Sequence, residues 1–202
     1  GTLDDHVRLH DRIRRILPGE LASHAGLVAN LYTDLLLNDR LQRERAADIA
    51  GVYRALKRDD AGALWTLYTR TYERLWGLPT GELGPRPSTT QELDADLAAR
   101  IVRTFRDRWL EGAASFALLL EPYLAELPRD RQVVPAWLDT AATSIGDRIP
   151  GGLIDDDFDP SDVRHPSLDP RITGEDTADD GDDRPGGGGR GQGRGRARTG
   201  DG

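Results

Sequence analysis

Five closely spaced aspartates, Asp155, Asp156, Asp157, Asp159 and Asp162, form the densest set of chemically competent side chains in this sequence. Asp155, Asp156 and Asp159 have the spacing of a magnesium-diphosphate motif, while Asp155, Asp157 and Asp159 imitate the start of a calcium loop. The first chemistry needs a helix lining an apolar cavity, yet Gly151, Gly152 and Pro160 flank the set and no second metal motif accompanies it. The second needs glycine where Pro160 stands and a bidentate glutamate where Pro166 stands. A solvated acidic linker fits the composition better, because runs of like charge repel and resist folding.

The imidazoles are His6, His10, His24 and His165. His6 and His10 lie four apart, a helical spacing that lets two rings share one metal, with Asp5 or Asp11 as a further ligand, but no glutamate follows His6 to complete a zinc-protease pattern. Exposed histidines near a frayed terminus are the plainer account. Cysteine is absent, which removes disulfides, thiolate metal sites and a cysteine nucleophile together. The body has no glycine-rich phosphate loop and no serine in a nucleophile elbow. The expectation is a non-enzymatic protein with no catalytic residue, no metal and no cofactor.

Two further groups suggest binding. Trp65, Tyr68, Tyr72 and Trp76 recur at helical spacing, as a face for an apolar ligand, a nucleobase or a partner helix. Core packing is the better account, because a helical body of this size needs large residues to fill its interior. Arg100, Arg103, Arg106 and Arg108 can meet phosphates, although Asp96, Asp107 and Glu111 stand close enough to pair with them. At the end of the chain, Arg190, Arg194, Arg196 and Arg198 sit among glycines that leave guanidinium groups free to reach phosphates or stack on bases. So small a set binds nucleic acid weakly and with strong salt dependence, and the acidic stretch upstream competes for it.

The elements that must position these residues are helices. Of 202 residues, 37% are hydrophobic and 31% charged, and the net charge is -8. From residue 150 onward, 7 arginines stand against 13 acids, so the segment carries -6 and leaves -2 on residues 1–149. Basic charge is almost wholly arginine, Lys57 being the single lysine, and methionine is missing even at position 1, which suggests a processed chain or a fragment. No apolar run approaches the roughly 18 residues a membrane span needs, and no signal pattern opens the chain, so a soluble, cytoplasmic protein is expected.

Apolar residues recur at helical spacing up to about Ile149. Val7, Leu9, Ile13, Ile16 and Leu17 predict a first helix stopped near Pro18, and a second from Pro18 to about Asn38. A third is expected over Arg40 to Lys57, and a fourth capped by Asp59 or Asp60 and ended by Gly77 and Pro79. Residues 77–88 read as a loop or hinge. Thr89 with Glu92 makes a capping-box pattern opening the longest helix, through Leu120, with Gly112 or Pro122 as points of bending or division. A last short helix is expected over Pro135 to Ile145.

One stretch carries a family resemblance: Arg14-Arg15-Ile16-Leu17-Pro18-Gly19-Glu20-Leu21-Ala22, then His24-Ala25. It resembles the junction between the third histone-fold helix and the extra C-terminal helix of core histones of the 2B type. The resemblance implies that Thr2 and Leu3 fall in a DNA-contacting loop and that Glu20 matches a member of an acidic patch. Val28 stands where the second patch glutamate belongs, the first two histone-fold helices have no counterpart upstream, and nothing after about Leu37 corresponds.

The expected architecture is all-α: a single helical domain of five or six helices over residues 1–149, an acidic disordered linker over 150–185 and a disordered Gly/Arg-rich tail over 186–202. The expected function is a scaffold or adaptor that docks a protein partner or self-associates. A nucleic-acid-associated, histone-like role through Arg14, Arg15 and the tail arginines, in the nucleus, is the alternative. A metal-dependent enzyme built on the aspartate cluster is the third.

Overall fold

A computed structural model describes residues 3–45, 47–127 and 158–174, and over these the chain is all-α with no strand. The helices are α1 (Leu3–Ile16), α2 (Ala25–Glu44), α3 (Ile49–Ala55), α4 (Ala63–Trp76), α5 (Thr89–Thr104), α6 (Trp109–Ala125) and the single turn α7 (Pro170–Thr173). The expected helix at 135–145 lies outside the described residues.

Helix α1 opens on Asp4 and Asp5 and closes on Arg14 and Arg15, charges that complement its two ends. It buries Val7, Leu9, Ile13 and Leu17 against α6 and α2. Pro18 then turns the backbone to an extended conformation, and Gly19 supplies φ +49°, which a side chain would strain. The expected second helix is corrected at both ends. Gly19–His24 is a 3-10 turn, and α2 proper continues to Glu44, six residues past Asn38. Ion pairs at helical spacing carry it there: Arg43 to Asp39 at 2.8 Å and Arg40 to Glu44 at 2.9 Å. The expected third helix accordingly shrinks to Ile49–Ala55, capped by Asp48 accepting from the Gly51 amide.

Helix α4 begins after Gly62, with Asp59 and Asp60 left outside it, and ends as expected at Gly77, whose φ of +68° suits glycine. Two cations clasp its C-terminus, Arg43 and Arg103 both donating to the Leu75 carbonyl. The capping box of α5 lies one residue earlier than expected, on Ser88 and Gln91. Glu92 is thereby free to accept from Arg70 and Arg74, each at 2.9 Å.

The single long helix expected from Thr89 divides at Phe105–Arg108. An unbroken rod through Leu120 spans about 48 Å at 1.5 Å per residue, leaving one end of its apolar face uncovered. Divided, α5 and α6 pack against each other and share the core of Ile101, Phe105, Phe116 and Leu120. Gly112 does not make the break; it lies inside α6, where a Cβ would collide with the Tyr32 hydroxyl and come within 2.8 Å of Phe105.

Part of the expected acidic linker also proves to be structured. Residues 158–174 lie against α1, α5 and α6 as a strap of two 3-10 turns and α7. Ile172 enters the core at 3% exposure, Arg100 donates to the Thr173 carbonyl, and Arg171 lies over the Phe105 ring. At the other end Phe158 faces the guanidinium groups of Arg12 and Arg15, 5.2 and 5.3 Å from its centroid. A segment poor in apolar residues is held because Phe158 and Ile172 are both engaged, and two of its aspartates cap turns: Asp159 accepts from the Ser161 amide and Asp169 from the Arg171 amide.

Candidate functional site

Helix α2 presents Val28, Leu31, Tyr32, Leu35 and Asp39 to the interior. Its neighbouring stripe, Thr33, Asp34, Leu36, Leu37, Arg40 and Glu44, forms one wall of a groove of about 570 Å³, completed by His6 of α1 and by Arg106, Asp107 and Trp109 where α5 gives way to α6. The residues at the break between those helices make the opposite wall. The Trp109 carbonyl accepts from the Tyr32 hydroxyl at 2.9 Å, and its ring lies 5.9 Å from that of His6.

Asp34 is the unusual member. It is half-buried, takes no hydrogen bond or ion pair among the described residues, and burial pushes its carboxyl above the ordinary range. A desolvated carboxylate without a partner costs stability. Arg40 is already committed to Glu44, while Arg106 and Asp107 are exposed and unpaired among the described residues. Leu37, 54% exposed, adds apolar surface to the same groove.

Behind Asp34 lies a cluster of buried hydroxyls. Tyr68 and Tyr72 approach to 2.9 Å, Tyr53 stands 3.4 Å from both, and Asn38 donates to Tyr72 at 2.8 Å. Burial raises the pKa of all three phenols, and the Asp34 charge adds to the rise at Tyr53 and Tyr68. Of the two readings of the aromatic stripe, the core face is the one the fold takes. Tyr68 and Tyr72 are interior, and Trp65 and Trp76 pack half-buried against the same core, so the stripe fills the core instead of meeting a partner. Trp76 stacks on Tyr72 at 4.5 Å.

The other expected residues are scattered. Arg14 is exposed and bridges loosely to Asp11 at 3.5 Å; Arg15 is engaged by Asp11 and Phe158. Arg100 and Arg108 pair with Asp96 and Glu111, and Arg103 caps α4, so of that quartet Arg106 alone enters the groove. His10 is half-buried, with its pKa lowered by burial and by Arg14, and His24 belongs to the 3-10 turn. His165 caps a turn of the strap. Asp159 and Asp162 are exposed, and no three His, Asp or Glu side chains converge as metal ligands among the described residues. Asp155, Asp156, Asp157, Arg190, Arg194, Arg196 and Arg198 lie outside the described residues.

Asp34, Leu37 and Trp109 are among the groove residues that sequence reasoning passed over as sites. One signal was present: Asp34 is the only acid between Glu20 and Asp39, inside an otherwise apolar run. No helix among the described residues is long and apolar enough to cross a membrane. Over the described residues the fold is all-α and carries an amphiphilic cleft. No family model, curated protein or solved structure matches the chain.

Proposed function

We propose that this chain is a non-enzymatic helical adaptor, and that the groove between α2 and the α5–α6 junction receives a segment of a protein partner. The observation that carries this reading is the half-buried carboxylate of Asp34, unpaired among the described residues, beside exposed Leu37 and half-buried Trp109. A fold keeps such a destabilising group where an external ligand makes use of it. The groove mixes apolar and ionic lining, as the surfaces of non-obligate interfaces do. The Gly/Arg segment adds weak, salt-sensitive electrostatic contacts to the docked partner.

A photo-crosslinking side chain placed at Leu37 of the full chain tests the reading in the cell of origin. A discrete adduct is expected from position 37 and not from Leu93 or Leu168, which are also exposed but lie away from the groove. The same adducts from all three positions, or none from position 37, defeat it.

A further inference from the structure

The groove carries three carboxylates, Asp34, Glu44 and Asp107, against two guanidinium groups, Arg40 and Arg106. Since Arg40 and Glu44 satisfy each other at 2.9 Å, two acids and one base remain unpaired among the described residues. Of the acids, Asp34 is the desolvated one, so its interaction with an incoming cation is the less screened by water. Trp109 lines the same groove and offers an aromatic ring, a surface on which guanidinium and ammonium groups stack. An anion entering the groove meets the opposite balance: Arg106 attracts it, but Asp34 and Asp107 repel it.

We propose that the groove selects partner segments that insert an arginine or lysine side chain against Asp34, with an adjacent apolar residue of the segment resting on Leu37 and Trp109. This rests on the docking reading above and adds to it the chemistry of the anchor. Arg106 is the built-in competitor. Unpaired among the described residues on the opposite wall, it repels the incoming cation and sets a limit on affinity, which favours an anchor extended enough to pass it.

A random heptapeptide library panned on the full chain, followed by titration of the selected peptides with amide shifts monitored by NMR, tests the proposal. Selected peptides are expected to carry Arg or Lys beside an apolar residue and to shift amides of α2 and of residues 105–109. Asp34→Asn weakens them about fivefold or more, Arg106→Gln tightens them about twofold, and citrulline in place of the peptide arginine reproduces the loss. Glu20→Gln, which removes an exposed carboxylate outside the groove, leaves affinity unchanged and controls for the chain's overall acidity. Selected peptides that lack basic residues, or that bind the Asp34→Asn variant as tightly as the parent, overturn the cation anchor while leaving groove docking intact. A library that enriches nothing overturns both.

Discussion

The Glu73 carboxylate, 1% exposed on α4, accepts the Leu83 amide at 2.7 Å and so holds a loop ten residues further along the chain. Its other oxygen accepts from the Gly81 amide and from Arg70, each at 3.0 Å. One buried side chain therefore supplies the hydrogen bonds that residues 81–83 would otherwise seek from water. Glu73→Ala leaves those amides and the Arg70 guanidinium short of acceptors, and is expected to cost about 3 kcal/mol in denaturant unfolding. Glu73→Gln, which keeps one carbonyl acceptor, is expected to cost less. Equal stability of the alanine variant and the parent would show that the loop finds other partners.

Gly112 allows α6 to approach both Tyr32 and Phe105. Gly112→Ala favours helix in isolation but places a methyl where those rings lie, so a net loss of about 1 to 3 kcal/mol is expected. Thermal unfolding decides the sign. A rise in melting temperature would mean that the rings yield at little cost.

Tyr72 is the hub of the hydroxyl cluster, touching Tyr53, Tyr68 and Asn38. Tyr72→Phe preserves the stack on Trp76 yet leaves the Asn38 amide without its short acceptor. A destabilisation of about 1 to 2 kcal/mol is expected, against a smaller change for Tyr53→Phe, whose contacts are longer.

Asp34→Asn is expected to stabilise the protein near neutral pH by roughly 0.5 to 1 kcal/mol, the trade expected where a functional group is held under strain. Asp34 has a raised pKa in the fold, so its protonated form is the one folding favours. Its favourable contribution is complete below the unfolded carboxyl pKa and is lost as pH rises through the higher folded value. The advantage of the asparagine variant should therefore shrink as pH falls through the acidic range. Tyr53 and Tyr68 face this carboxyl from behind, and His6, Arg40, Glu44, Arg106 and Asp107 share its groove. Repeating the pH series in His6→Gln separates the contribution of the imidazole that shares the groove.

The helical character of the body was legible because apolar spacing is a local signal. Val7, Leu9, Ile13 and Leu17 announce their face, and Gly77 announces an end. The break at Phe105–Arg108 was not legible, since no proline or glycine marks it; it follows from α5 and α6 finding each other. The strap was hidden for a related reason. Phe158 and Ile172 are isolated in an acidic context, and only the pairing of Phe158 with Arg12 and Arg15, and of Ile172 with the core, makes them count. Asp34 carried a signal as the lone acid of its stretch, but its want of a partner among the described residues emerges only from the fold.

The strap invites one more measurement. Ile172→Ala removes its buried side chain and is expected to cost about 2 to 4 kcal/mol of local docking free energy, read as faster proteolysis within residues 158–174 while α1 to α6 stay protected. Uniform acceleration across all helices would instead show that strap and bundle unfold together.

Because Phe158 to Gly174 is anchored on the far side of residues 128–157, those thirty residues join two fixed points rather than lead away from the fold. The covalent link makes docking of the strap intramolecular, so the strap meets its surface at an effective concentration that a separate peptide lacks. A cut anywhere among them turns the C-terminal fragment into a separate ligand of the helical bundle. The molecule is in this sense already divided for fragment complementation, with the Gly/Arg segment carried on the piece that can be exchanged.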